Sequence, residues 1–183
     1  MPRMLENPIS LVASVERARA SVMEAASSLT DAQGAYQPDG EWSVAEVVQH
    51  LYLAEVSGVS KIWTACENFR SGRRWTDPLP NRGKSIEEVV EATWKPKETA
   101  PDEATPHFGG PLSYWLCALA SLRGVLAELA TRLEGQDLEQ VVFPHFLSGP
   151  LDARQRLEFL RFHMERHQAQ IERVMSGATR SRS

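Results

Sequence analysis

The chain has 183 residues, 42% of them apolar and 24% charged, with a formal net charge of −4. Those proportions exclude a disordered or fibrous chain and suit one globular domain, 1–183, with a sizeable core. Dispersed Lys and Arg on a mildly acidic chain leave no footprint for a phosphate backbone, and no apolar run reaches spanning length, so neither nucleic acid nor membrane is an expected partner.

Residues 1–9 carry Pro and Asn and lack the apolar centre of a secretory signal, so a cytoplasmic location is expected. A first helix is predicted over about 9–30 from the stripe Leu11, Val15, Ala18, Val22, Ala25, Leu29, whose alternating spacings of three and four draw one face of a helix. A second, about 43–70, carries Val44, Val47, Leu51, Ala54, Gly58 and Ile62. Ser43 and Glu46 at its start have capping-box spacing.

The segment 71–111 is rich in Pro and Gly and far longer than a helix-hairpin turn. It is read as a crossover running the length of the bundle. A short helix from 86 to about 94 follows the Ser85 and Glu88 pair, and Pro96, Pro101, Pro106 and Pro111 keep the remainder extended or turning. A third helix, about 112–134, carries Leu112, Trp115, Leu119, Leu122, Leu126, Leu129 and Leu133. The fourth, about 152–175, carries Leu157, Leu160, Met164, His167, Ile171 and Val174. Gly135 and Gly177 mark the stops of these two. The architecture is therefore an all-α four-helix bundle. Cys66 and Cys117 lie in helical stretches and are too few for a disulfide framework, so buried free thiols are expected.

A histidine stands on the fourth seam. His163 and His167 project about 40° apart on one helical face, one turn removed, and can meet a single ion. His50, at the edge of the second stripe, is the candidate third ligand. It lies about 10 Å from the start of its helix, and His167 about 12 Å from the end of the fourth. The heights agree only if the second and fourth helices are antiparallel. Short loops make the first and second helices antiparallel, and likewise the third and fourth, so the second and third must run parallel. That up-down-down-up arrangement needs a long crossover, which 71–111 supplies. Three imidazoles with an open position match catalytic rather than structural metal sites and suit a divalent transition ion, zinc or nickel ahead of iron or manganese.

Other metal motifs do not fit. Met164 stands where a zincin has its Glu base, Glu165 points away from the histidine face, and none of the three histidines has a Glu three residues before it as a di-iron bundle requires. His107 and His145 fall in loops and are expected to face solvent. Glu55 and Gln170 read as polar flank residues, with orientation of a ligand as the alternative. Arg73, Arg74, Trp75 and Arg82 read as a solvated loop, with recognition of a carboxylate-bearing thiol as the alternative.

The stretches 41–55, EWSVAEVVQHLYLAE, and 149–174, GPLDARQRLEFLRFHMERHQAQIERV, resemble the DinB/YfiT-like superfamily of metal-binding four-helix bundles. The first is similar to the family's Trp-Ser/Thr start of the second helix and its first histidine. The second is similar to its closing Gly-Pro-Leu, His-x-x-x-His and nearby Gln-Ile. The resemblance implies His50, His163 and His167 as metal ligands, with water or substrate completing the shell. Where family members often show His-Pro, then Phe and Gly, this chain has Pro144, His145 and Phe146, with Gly149 later, which argues against a site role for His145. Characterised relatives include transferases and isomerases that use low-molecular-weight thiols such as bacillithiol, mycothiol or glutathione, and others are called metal-dependent hydrolases. A thiol S-transferase with a small-molecule substrate is thus the expected function, with a hydrolase or a non-enzymatic metal- or ligand-binding module as alternatives. A homodimer is also expected, with Trp63, Phe69 and Trp115 as candidate interface residues.

Overall fold

The structure, a computed structural model, describes residues 7–94 and 99–180. Helix α1 (Pro8–Ser27) starts under Asn7, whose side chain accepts the Ile9 N–H at 2.9 Å, with Pro8 at the first helical position where its missing N–H costs nothing. A single turn, α2 (Asp31–Gly34), held by a Thr30–Gln33 capping box, leads to α3 (Val44–Arg70). The Ser43 box forms as its spacing predicts: the Glu46 N–H donates to Ser43 Oγ at 3.2 Å, and the Ser43 N–H to the Glu46 carboxylate at 2.8 Å.

The stripes meet in two clusters that fix the direction of every long helix. At one end Leu11 and Val15 of α1 pack with Ile62 and Cys66 of α3 and with Leu157 and Leu160 of the last helix. At the other end Val22 and Ala26 pack with Val47 and Leu51, Leu112 and Leu119, and Ile171 and Val174. The first and last helices therefore run one way and the second and third the other. The last helix packs along both α1 and α3, and the third fills the opposite side.

The crossover 71–111 carries the chain back along the bundle. It contains α4 (Ile86–Thr93), capped by the Ser85–Glu88 box, and a 3-10 turn, Asp102–Ala104. Pro96 lies outside the described residues.

The third helix departs from the single element expected. It is two, α5 (Leu112–Ser121) and α6 (Arg123–Leu133), joined at Leu122. Ser121 Oγ donates to the Ala118 carbonyl at 2.6 Å, the acceptor that the Leu122 N–H would use in a continuous α-helix. That N–H turns instead to the carbonyls of Leu119 and Ala120. Within Leu112–Leu133 an 18-residue window has a mean hydropathy of 1.3, so by length and composition alone a run of spanning length is present, which corrects the expectation that none is. Here Leu112, Leu119, Leu126, Leu129 and Leu133 are buried in the bundle. Trp115 is buried with them, its Nε1–H on the Gly109 carbonyl, so it is not a surface interface residue. Trp63 and Phe69 are half-buried against the core. Cys66 is buried but Cys117 is exposed, against expectation, because it points away from the Leu112 and Leu119 stripe.

After Gly135, whose φ of +71° ends α6, a 3-10 turn (Leu138–Gln140) enters a hairpin that the sequence reading did not foresee: β1 (Val142–His145) antiparallel to β2 (Gly149–Asp152). Its strands are too short to show alternation over several residues. The last helix, α7 (Ala153–Arg180), runs past Gly177 rather than stopping there. A glycine ends a helix by turning left-handed, as Gly135 does, and Gly177 remains helical.

Candidate metal centre

His50, His163 and His167 come together in the interior, 4%, 7% and 9% exposed. The Nε2 atoms of His50 and His167 each lie 3.1 Å from that of His163. Imidazole nitrogens on one tetrahedral ion at 2.0–2.1 Å are about 3.3 Å apart, so the observed spacing fits a shared ion. Two of the rings are fixed from behind. His50 Nδ1 lies 2.8 Å from the Ala104 carbonyl, and His167 Nδ1 lies 2.7 Å from Gln170 Oε1. Both partners are acceptors, so both Nδ1 atoms carry the proton and both Nε2 atoms present lone pairs to the centre. With His163 Nε2 turned to the same point, three imidazole nitrogens converge there, and that donor set fits a divalent transition ion.

The electrostatics keep the rings neutral. Burial pushes the His167 imidazole down to about 3, with the nearby His50 adding to the effect, and burial likewise lowers His50 against the pull of the Ala104 carbonyl. His163 falls well below the ordinary histidine value through burial and its two histidine neighbours. Neutral imidazole is the form that binds a metal.

Each histidine is positioned by its element. His50 sits early on α3 beside Trp42, ring centroids 5.0 Å apart, and the crossover's 3-10 turn brings the Ala104 carbonyl to it. The Pro101 carbonyl takes the Ala104 and Thr105 N–H groups and so holds the turn that carries the Ala104 carbonyl. Gly58, two turns along α3, lets that helix approach α7: a Cβ there would come within 2.9 Å of Leu160 Cδ2. Phe159 stacks on His163, with centroids 5.6 Å apart and planes 18° from parallel.

Beside the triad opens a cavity of about 120 Å³ between α3, α7, the crossover and the hairpin. His145 lines it, 7% exposed, which corrects the expectation that it faces solvent. The hairpin turns it inward, and its ring packs against Phe159 at 4.8 Å and Trp94 at 6.2 Å. Lys61, Arg156 and Arg166 also line the cavity. Arg73, Arg74 and Arg82 are exposed and Trp75 half-buried, and none of the four lines it; Arg74 lies on the Phe69 ring at 3.9 Å. His107 is exposed, as expected. Gln170 holds the His167 ring by its hydrogen bond rather than standing as an unengaged flank residue. Glu55 does not: it is buried against Arg19, and burial pushes its carboxyl up to about 7 against the pull of that guanidinium.

Sequence reasoning missed Ala104, which acts through its backbone and leaves no side-chain signal, and Arg156. A signal for Arg156 existed. It precedes His163 by seven residues and His167 by eleven, as His50 precedes Lys61 by eleven, and these intervals return to the same helical face.

Fold and site together define a four-helix bundle with two parallel helix pairs and a buried histidine triad that could hold a metal ion. The chain belongs to the DinB superfamily, whose sequence pattern matches residues 14–171. Among solved structures it is similar to YfiT from Bacillus subtilis, described as a probable metal-dependent hydrolase with an unusual four-helix bundle topology: TM-score 0.61 at 19% identity, over 98% of this chain and 93% of that one. It is also similar to a conserved protein from Enterococcus faecalis, with TM-score 0.54 at 16% identity over 96% and 99% of the two chains. No curated protein matches it in sequence.

Proposed function

We propose that the chain is a metal-dependent enzyme that transfers the sulfur of a low-molecular-weight thiol to an electrophile, with His50, His163 and His167 as the metal ligands. The observation that carries this reading is the convergence of three buried Nε2 atoms at the wall of a cavity. A bound divalent ion supplies positive charge that lowers the pKa of a thiol or water beside it. The chain's own residues do the rest. The Ala104 carbonyl and Gln170 hold the imidazoles of His50 and His167 with Nε2 free, Phe159 and Leu160 form the apolar wall, and Trp94 and Pro101 of the crossover line another side.

Thiol transfer is favoured over hydrolysis of the HExxH type, which asks for a carboxylate base beside the metal. Among the described lining residues the carboxylate is Glu103, and it is held by Lys61 at 2.8 Å. A thiolate needs no such base. Hydrolysis remains the second reading, supported by the description of YfiT. Its test is turnover of ester or amide substrates by the metallated protein.

The direct test is conjugation of monobromobimane with a panel of thiols. Sulfur attacks the bromide-bearing carbon, a C–S bond forms, bromide leaves, and the thiol proton passes to solvent. Metallated protein should accelerate the reaction, and His163→Ala should lose metal and acceleration together. No acceleration with any thiol would overturn the reading, and a metal-loaded protein inert to thiols and esters alike would mark a binding module.

A further inference from the structure

Arg156 is 5% exposed, lies on the wall of the cavity and has no carboxylate partner among the ion pairs of the described residues. Its Nη2 donates to the Pro144 carbonyl at 2.5 Å, its Cζ lies 5.8 Å from the Phe143 ring centroid, and its Nε is buried without a hydrogen-bond partner. A guanidinium out of water with one neutral acceptor is costly, and proteins normally place an acid beside it. The other cavity cations differ. Lys61 is neutralised by Glu103, and Arg166 is exposed.

A second observation points to the same place. His145 Nδ1 accepts the N–H groups of Leu147 at 3.3 Å and Ser148 at 3.2 Å. A neutral imidazole that accepts at Nδ1 carries its proton at Nε2, so His145 is a donor on that side. Burial, with Arg156 nearby, holds this imidazole down to about 3, so it stays neutral. One buried positive charge and one N–H donor therefore face the same cavity.

We propose that Arg156 and His145 form a carboxylate-binding subsite, and that the substrate is an organic monoanion whose charged end docks there while its reacting end lies at the histidine triad. A single uncompensated buried cation matches a monoanion, and a guanidinium matches the flat fork of a carboxylate. Arg156 and His163 stand about 10 Å apart along the axis of α7, two helical turns. The carboxylate is thus several bonds from the reacting atom. This inference rests on the enzyme reading for its reacting end, but the subsite itself does not.

The test is calorimetric titration of the zinc-loaded full chain with 6-mercaptohexanoate and 6-mercaptohexanol, and with hexanoate and hexanol. The acid of each pair should bind about tenfold or more tightly than the alcohol, as loss of one charge-assisted hydrogen bond implies. Arg156→Gln should bring the two to within twofold while leaving zinc content unchanged, Arg156→Lys should restore part of the preference, and His145→Phe should weaken it. Equal binding of acid and alcohol overturns the proposal. So does a preference that survives Arg156→Gln, because the anion would then sit on the metal. If Arg156→Gln fails to fold, an unchanged preference in both Arg156→Lys and His145→Phe overturns it equally. A preference shown by hexanoate, with thiols gaining nothing over it, keeps the subsite and removes the thiol reading.

Discussion

Gln170 Oε1 accepts the Nδ1 proton of His167 at 2.7 Å, one turn further along α7, so two residues of one helix fix both the direction and the tautomer of a site nitrogen. Removing such a partner frees the ring to rotate and to present the wrong nitrogen, and typically weakens metal binding about 10- to 100-fold. Gln170→Ala should lower zinc affinity by that factor in a competition titration with a chromophoric chelator. Half-exposed Gln170 contributes little packing, so the melting temperature of the metal-free protein should stay close to that of the parent. Unchanged affinity would show that the hydrogen bond does not prepare the site.

The buried histidines also set a pH dependence for the metal-free chain. His145 and His167 are both held down to about 3 in the folded state, first by burial. An unfolded histidine takes up its proton near 6.5, so between 6.5 and 3 the unfolded chain holds more protons than the folded one. Stability must therefore fall as the pH drops through that window, by about 1.4 kcal/mol per pH unit for each proton of difference. Glu55 acts oppositely between its ordinary 4.5 and its folded value of about 7: the folded chain holds the extra proton, and its contribution declines as pH rises. Urea denaturation of the chelator-treated protein from pH 7 to pH 4 should show a shallower loss in His145→Phe than in the parent. Equal slopes would place the His145 proton elsewhere.

The topology was legible because two unrelated signals demanded it: the heights of His50 and His167 on their helices, and the length of 71–111. The triad was legible because helical spacing puts His163 and His167 on one face. What escaped the sequence depends on tertiary contacts. The Leu122 break coincides with a Ser121 hydroxyl on the Ala118 carbonyl, while the leucine stripe runs on through it unchanged. His145 reads as a loop residue until the hairpin pairs it with Gly149 and turns it inward. Ala104 orients His50 with an atom that every residue has.

The buried pair of Arg19 and Glu55, 3% and 1% exposed at the side chain, ties α1 to α3 away from the cavity. Replacing Glu55 by Leu leaves the guanidinium buried with Glu16 alone, which holds it at 2.5 Å. Loss of one partner of a buried pair costs about 3 kcal/mol or more, whereas replacing both by apolar groups is often neutral. Glu55→Leu should lower stability by that amount in chemical denaturation, and Arg19→Met with Glu55→Leu should recover most of it. Zinc content should be that of the parent in both, since neither residue touches the triad. Loss of zinc from the double variant would give Glu55 a part in the site.

Asp152 ends β2 and caps α7. Its Oδ1 accepts the Gln155 N–H at 2.8 Å, and its own N–H donates to Gln155 Oε1 at 3.2 Å, a reciprocal box four residues before Arg156. Gln155 also donates to the Asn81 carbonyl at 2.7 Å, and Asn81 donates to the Ser148 carbonyl at 2.7 Å. The cap thus couples the start of α7, the crossover and the hairpin loop beside His145. Asp152→Ala should cost about 1 kcal/mol as a lost cap, and more if Gln155 then releases Asn81. Asp152→Asn keeps the acceptor and should cost less than half as much. The discriminating measurement is hydrogen exchange at Leu147 and Ser148, whose N–H groups donate to His145. Both should exchange faster in Asp152→Ala, because the loop loses its anchor through Asn81. Unchanged protection there, with the stability loss intact, would make the cap a local feature of α7 and leave the hairpin to hold His145 unaided.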